Sequence, residues 1–116
     1  VYLKAEGMAQ DSNDFCGLAD SLCEKLRDKE LAGKLYERAE EKAVESFEFR
    51  WLADSLCEKL DDKEWAQRIY GEAEDKAQAY YDFIWLAKSL SENMADEKWA
   101  NEVNQKAKNL SPYPQL

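Results

Sequence analysis

The sequence has no histidine, two prolines and four glycines in 116 residues, three cysteines, and no apolar run longer than Phe83–Ala87. Each scarcity excludes something. Without imidazole there is no Ser-His-Asp or Cys-His catalysis, no Cys₂His₂ zinc finger, and no side chain that changes charge near neutral pH unperturbed. An apolar run of five residues cannot span a bilayer, and no signal peptide opens the chain. The 16 basic residues are outnumbered by 25 acidic ones, a net charge of −9. That argues against nucleic acid, whose binding rests on neutralising phosphates with Lys and Arg. There is no Gly-rich phosphate loop and no EF-hand loop. Carboxylate pairs such as Asp61-Asp62 and Glu40-Glu41 read as ordinary helix surface, so no enzymatic activity, metal or cofactor is expected.

What is present is a repeat. Residues 18–26 read LADSLCEKL, residues 52–60 repeat them letter for letter, and LAKSLSENM follows at 86–94. Both steps are 34 residues, and the first two full units, 18–51 and 52–85, agree at 20 of 34 positions. Tyr2, Ala5, Glu6 and Ala9 fall one period before Tyr36, Ala39, Glu40 and Ala43, so residues 1–10 read as the second half of a helix. With no Met in front, the N-terminus reads as cut. The C-terminus reads as natural, with a polar last helix (Asn104, Gln105, Asn109) and the stop Ser111-Pro112-Tyr113-Pro114.

Each unit resolves into two amphipathic helices. Phe49, Ala53, Leu56 and Leu60 fall within a narrow arc at 100° per residue, with Asp54, Glu58 and Trp51 roughly opposite. Trp65, Ala66, Ile69, Tyr70, Ala73 and Ala77 form the apolar side of the second helix. Asp28, Asp62 and Asp96 are placed to N-cap second helices, and Ser46 is a candidate cap for a first helix. The spacing predicts helices over 1–10 (partial), 13–27, 29–45, 47–60, 63–79, 81–94 and 97–109. A single hairpin cannot bury its apolar face, but stacked copies can. The expected architecture is therefore all-α: one domain over 1–116, an α-solenoid of stacked antiparallel hairpins with repeats at 13–45, 47–79 and 81–110 and a tail at 111–116.

The unit resembles a tetratricopeptide repeat. Phe49 precedes Leu52-Ala53 where that family places an aromatic before Leu-Gly, and Ala66, Tyr70 and Ala73 match its small–aromatic–small pattern. AGKLYERA (32–39) and AQRIYGEA (66–73) are also similar to the half-a-tetratricopeptide variant. The chain departs from the pattern in a turn one residue longer, Ala for Gly, and no proline closing a unit. The resemblance implies a protein-interaction scaffold that binds on its concave side through the first helix of each pair.

Three sets of residues are candidates for sites. Cys16, Cys23 and Cys57 are spaced too far for disulfides and lack metal-site company, so they read as half-buried reduced thiols of a cytoplasmic protein. Trp51 and Trp85, beside Ser55 and Ser89, are either aromatic anchors of a concave groove or inter-repeat packing. The acidic line Asp20, Glu24, Asp54, Glu58 and Glu92, interrupted by Lys88, would attract a basic protein or peptide if its members project together; a solvated polar face is the alternative. Functionally, a protein- or peptide-binding scaffold competes with a structural spacer or self-associating segment of a longer repeat protein with no ligand of its own, whose open edge at Tyr2, Ala5 and Ala9 would meet an upstream repeat or another copy of the chain.

Overall fold

The computed structural model describes residues 11–110; the expected half-helix with its apolar edge at Tyr2, Ala5 and Ala9, and the tail at 111–116, lie outside them. The described residues form an all-α stack of three antiparallel hairpins. In the first, α1 (Ser12–Ser21, extended by a π-helical turn Leu22–Leu26) pairs with α2 (Lys29–Lys42). The second pairs α3 (Ser46–Lys59) with α4 (Lys63–Lys76), and the third α5 (Tyr80–Met94) with α6 (Glu97–Lys108). Every substantial contact between successive hairpins involves a first helix: α1 lies on α3 and α3 on α5, while α3 also meets α2 and α5 meets α4. The molecule is accordingly elongated, 54 × 27 × 19 Å.

The 34-residue step is written into the core. Phe15, Phe49 and Phe83 are buried at one equivalent position, Ala19, Ala53 and Ala87 at another, and Leu22, Leu56 and Leu90 at a third. On the second helices Ala32, Ala66 and Ala100 allow close approach, Leu35, Ile69 and Val103 fill the space beneath, and Ala39, Ala73 and Ala107 close the far end. All of these positions are essentially inaccessible to water. Truncating a fully buried leucine such as Leu56 to alanine would cost about 2–5 kcal/mol through lost transfer energy and the cavity left behind.

The turn inside each hairpin also repeats. Arg27, Asp61 and Ala95 adopt left-handed backbone with φ of 55°, 53° and 52°. The next residue's N–H then reaches back to the carbonyl of Leu22, Leu56 or Leu90 at 3.2, 3.0 and 3.2 Å. These closures span six residues, wider than the helical four. At Arg27 and Ala95 the preceding N–H also returns to the same leucine in a π-type bond. Asp28, Asp62 and Asp96 cap the second helices as their spacing predicts, accepting from the N–H of Leu31, Trp65 and Trp99 at 3.0, 3.1 and 3.0 Å.

The turns between hairpins differ from expectation in two ways. Helices α2 and α4 stop at Lys42 and Lys76, three residues short of the expected ends, because Ala43 and Ala77 turn to extended backbone. A carboxylate in the first turn of the next helix makes that exit possible. Glu48 accepts from the N–H of both Val44 and Glu45 at 3.0 Å, and Asp82 from Gln78 and Ala79 at 3.0 and 3.1 Å. Ser46 is not the cap; its buried hydroxyl donates to the carbonyl of Ala73 at 2.7 Å, tying the start of α3 to α4.

Candidate binding face

The first helices α1, α3 and α5 lie side by side, and the surface they turn away from the second helices holds the groove candidates. Trp51 and Trp85 are 46% and 47% exposed and are not core. Each is joined one turn earlier by an aromatic that the sequence reading missed: Phe47, 40% exposed, and Tyr81, 58% exposed. The ring of Phe47 meets that of Trp51 edge to face at 5.5 Å. Positions 47 and 51 become 81 and 85 after one 34-residue step, a signal that was available in the sequence. In the first hairpin those positions are Asn13 and Gly17, so α1 carries no such pair.

The acidic line does not project as one free face. Asp20 and Asp54 are half-buried and turn inward, where the hydroxyl of Tyr36 donates to Asp20 Oδ1 and that of Tyr70 to Asp54 Oδ1, both at 2.5 Å. Tyrosine and aspartate stand 16 residues apart in each unit, and the third unit replaces both members, with Lys88 and Asn104. The bonds continue into the next hairpin. Ser55, buried on α3, donates to Asp20 Oδ2 at 3.2 Å and accepts from the Cys16 thiol at 3.3 Å. Asn93 on α5 donates to Asp54 Oδ1 at 3.0 Å and to the Tyr70 hydroxyl at 3.1 Å. Ser89, at the position equivalent to Ser55, is likewise buried. Asp20, Asp54 and Ser55 thus belong to a ladder that fixes one hairpin's register on the next, and Ser89 is buried, which corrects the assignment of all four to a freely projecting binding face. A buried polar ladder of this kind is costly when half-satisfied, so each member holds the others in place.

The remaining candidates divide. Glu24 pairs with Lys59 of the next hairpin. Lys88 extends over the Trp85 ring, 5.2 Å from its centroid. Glu58 and Glu92 are exposed, and neither makes an ion pair among the described residues. Burial pushes the Asp54 carboxyl above the usual aspartate range against the opposing pull of Tyr70, Ser89, Arg50 and Asn93. Burial and the neighbouring aspartates raise the Tyr36 and Tyr70 phenols, which stay protonated as donors. Burial likewise pushes the Cys16 thiol up to about 12. That thiol is therefore a weak nucleophile at neutral pH. Cys16 is buried, Cys23 and Cys57 are half-buried, and all three are free thiols.

Between α1 and α3 the face is indented by a pocket of about 350 Å³, lined by Asn13, Cys16, Gly17, Asp20, Trp51, Asp54, Ser55 and Glu58. No group of three or more His, Cys, Asp or Glu side chains among the described residues is placed to hold a metal ion. Among those residues no helix is long and apolar enough to cross a membrane. Comparison with protein-family models, curated proteins and solved structures gives no match.

Proposed function

We propose that the chain is a scaffold, tetratricopeptide-like in its hairpin stacking, that binds a basic segment of another protein across the face formed by α1, α3 and α5. The observation that supports this reading is the quartet Phe47, Trp51, Tyr81 and Trp85. These four aromatics account for most of the large hydrophobic side chains left exposed among the described residues, the others being Leu26, Val44 and Leu110. Aromatic side chains bury large area for little conformational entropy, which is why they dominate binding energy at interfaces. Glu58 and Glu92 on the same helices would favour a cationic partner and speed its encounter.

The test is a variant in which all four aromatics become serine. It should keep the helical circular-dichroism spectrum, because none of the four is core, and it should lose a partner captured by the wild type from lysate of the source organism. Collapse of the fold on substituting Trp51 or Trp85 alone would return those residues to inter-repeat packing and sink the reading. Sedimentation showing a dimer that the substitutions disperse would assign the face to self-association instead.

A further inference from the structure

Resting on that reading of the face, we infer that the pocket between α1 and α3 receives an arginine side chain from the bound partner. The inference comes from comparing two equivalent places in one molecule. At the junction of α3 and α5, Arg50 holds its guanidinium 6.0 Å from the centre of the Trp85 ring and 3.7 Å from the Asp54 carboxylate. A cation there is attracted by the indole face and by the acid together. One period earlier, at the junction of α1 and α3, Trp51 stands for Trp85 and Asp20 for Asp54, but Arg50 is replaced by Cys16.

The cradle is thus built twice and filled by the chain once. Among the described residues no cation lies over the Trp51 ring, and Asp20 makes no ion pair. The aromatics that crowd the later junction at Phe47 and Trp51 are Asn13 and Gly17 in the earlier one, and a Cβ on Gly17 would meet open space. The pocket of about 350 Å³ lies where these smaller residues stand, lined by Asn13, Cys16 and Gly17 beside Asp20 and Trp51. Glu58 stands at the rim, and Lys88, which lies over the tryptophan of the later junction, is replaced here by Asp54, so the open cradle has no lysine of its own at that position. The planar, five-donor guanidinium suits a ring face beside a carboxylate better than an ammonium does.

The experiment is a ¹⁵N NMR titration of the full chain with N-acetyl-arginine amide. The control is its citrulline analogue, which keeps the shape and loses the charge. Arginine should shift the Trp51 indole N–H and the Gly17 amide with a Kd of about 1–10 mM, and citrulline should bind at least about tenfold more weakly. Cys16→Arg rebuilds the arrangement of Arg50 and should abolish arginine binding. Glu58→Gln, at an exposed site that cannot disturb the core, should weaken it several-fold even if Cys16→Arg does not fold. Equal shifts from the two amides, or arginine shifts centred on Trp85, would overturn the inference. A captured partner that is lost with the four serines but held equally by wild type and Cys16→Arg would also overturn it, while leaving the wider binding-face reading intact.

Discussion

Removing the hydroxyl from Tyr36 should destabilise the protein more than removing it from Tyr70, although the two bonds have the same length. Each phenol donates to an aspartate at 2.5 Å from a fully buried ring. A hydrogen bond to a charged group contributes about 1.5–3 kcal/mol. What separates the sites is the company each carboxylate keeps once its phenol is gone. Asp54 retains the Asn93 amide at 3.0 Å and the Arg50 guanidinium at 3.7 Å. Among the described residues Asp20 retains only the Ser55 hydroxyl, at 3.2 Å. Tyr36→Phe should therefore cost about 2–3 kcal/mol, near the top of that range, and Tyr70→Phe about 1 kcal/mol. Equilibrium urea unfolding followed by circular dichroism resolves the difference. With a slope of about 1–3 kcal/mol per molar urea, the Tyr36→Phe midpoint should fall by about 1 M. Tyr81→Phe, whose hydroxyl is on an exposed ring, is the control and should leave the midpoint where it is. Equal costs at Tyr36 and Tyr70, or the larger cost at Tyr70, would refute the argument that the remaining donors set the penalty.

Two further predictions concern charge and backbone. Burial raises the Asp54 carboxyl above its ordinary 3.8, so the folded protein holds that proton longer than the unfolded chain does. The stability this contributes is complete below the ordinary value and is lost as pH rises through the raised one. Asp54→Asn should therefore gain on the wild type as pH rises through that window, read as the difference in urea midpoint, and a pH-independent difference would count against it. On the backbone side, Ala95 sits at φ 52° while Gly71 lies inside α4 with space for a Cβ. Ala95→Gly and Gly71→Ala exchange the same two residue types in opposite directions. Each should nonetheless stabilise by about 0.5–1 kcal/mol, the first by relieving left-handed strain and the second by improving helix propensity, with thermal midpoints as the readout.

Much of the fold could be read before any coordinates, because the information is local and repeated. The alternation of Phe49, Ala53 and Leu56 with charged residues defines one face of a helix, and Asp62 announces the next helix by chemistry that needs only three residues. What escaped the reading depends on pairs distant in sequence. Asp20 and Asp54 looked like surface because their partners, Tyr36 and Tyr70, lie 16 residues away on another helix, and Ser55 reaches back 35 residues to Asp20. The clue was present in the third unit, where lysine replaces the aspartate and asparagine the tyrosine, as expected of a bonded pair lost together. Ser46 looked like a cap because serine usually is one. Its carbonyl partner at Ala73 became visible only when α3 was laid against α4.

The outer side of the stack is held differently from the inner. Glu40 of α2 accepts from the indole of Trp65 and both guanidinium arms of Arg68, at 3.1, 2.6 and 3.0 Å. Glu74 of α4 does the same with Trp99 and Lys106, at 3.0 and 2.5 Å. Mechanically the array is a hinged strip, with its pivot in the packed contacts of α1, α3 and α5, where buried polar bonds and the Glu24–Lys59 pair join the apolar core, and its outer lacing in these partly exposed charges. Bending it open along the laced edge strains ion pairs that contribute about 0–1 kcal/mol each and weaken as salt screens them. Closing it further would compress a core already at packing density. Parting of the hairpins along that outer edge is thus the motion that added salt should ease, while the buried packing within each hairpin should not feel it.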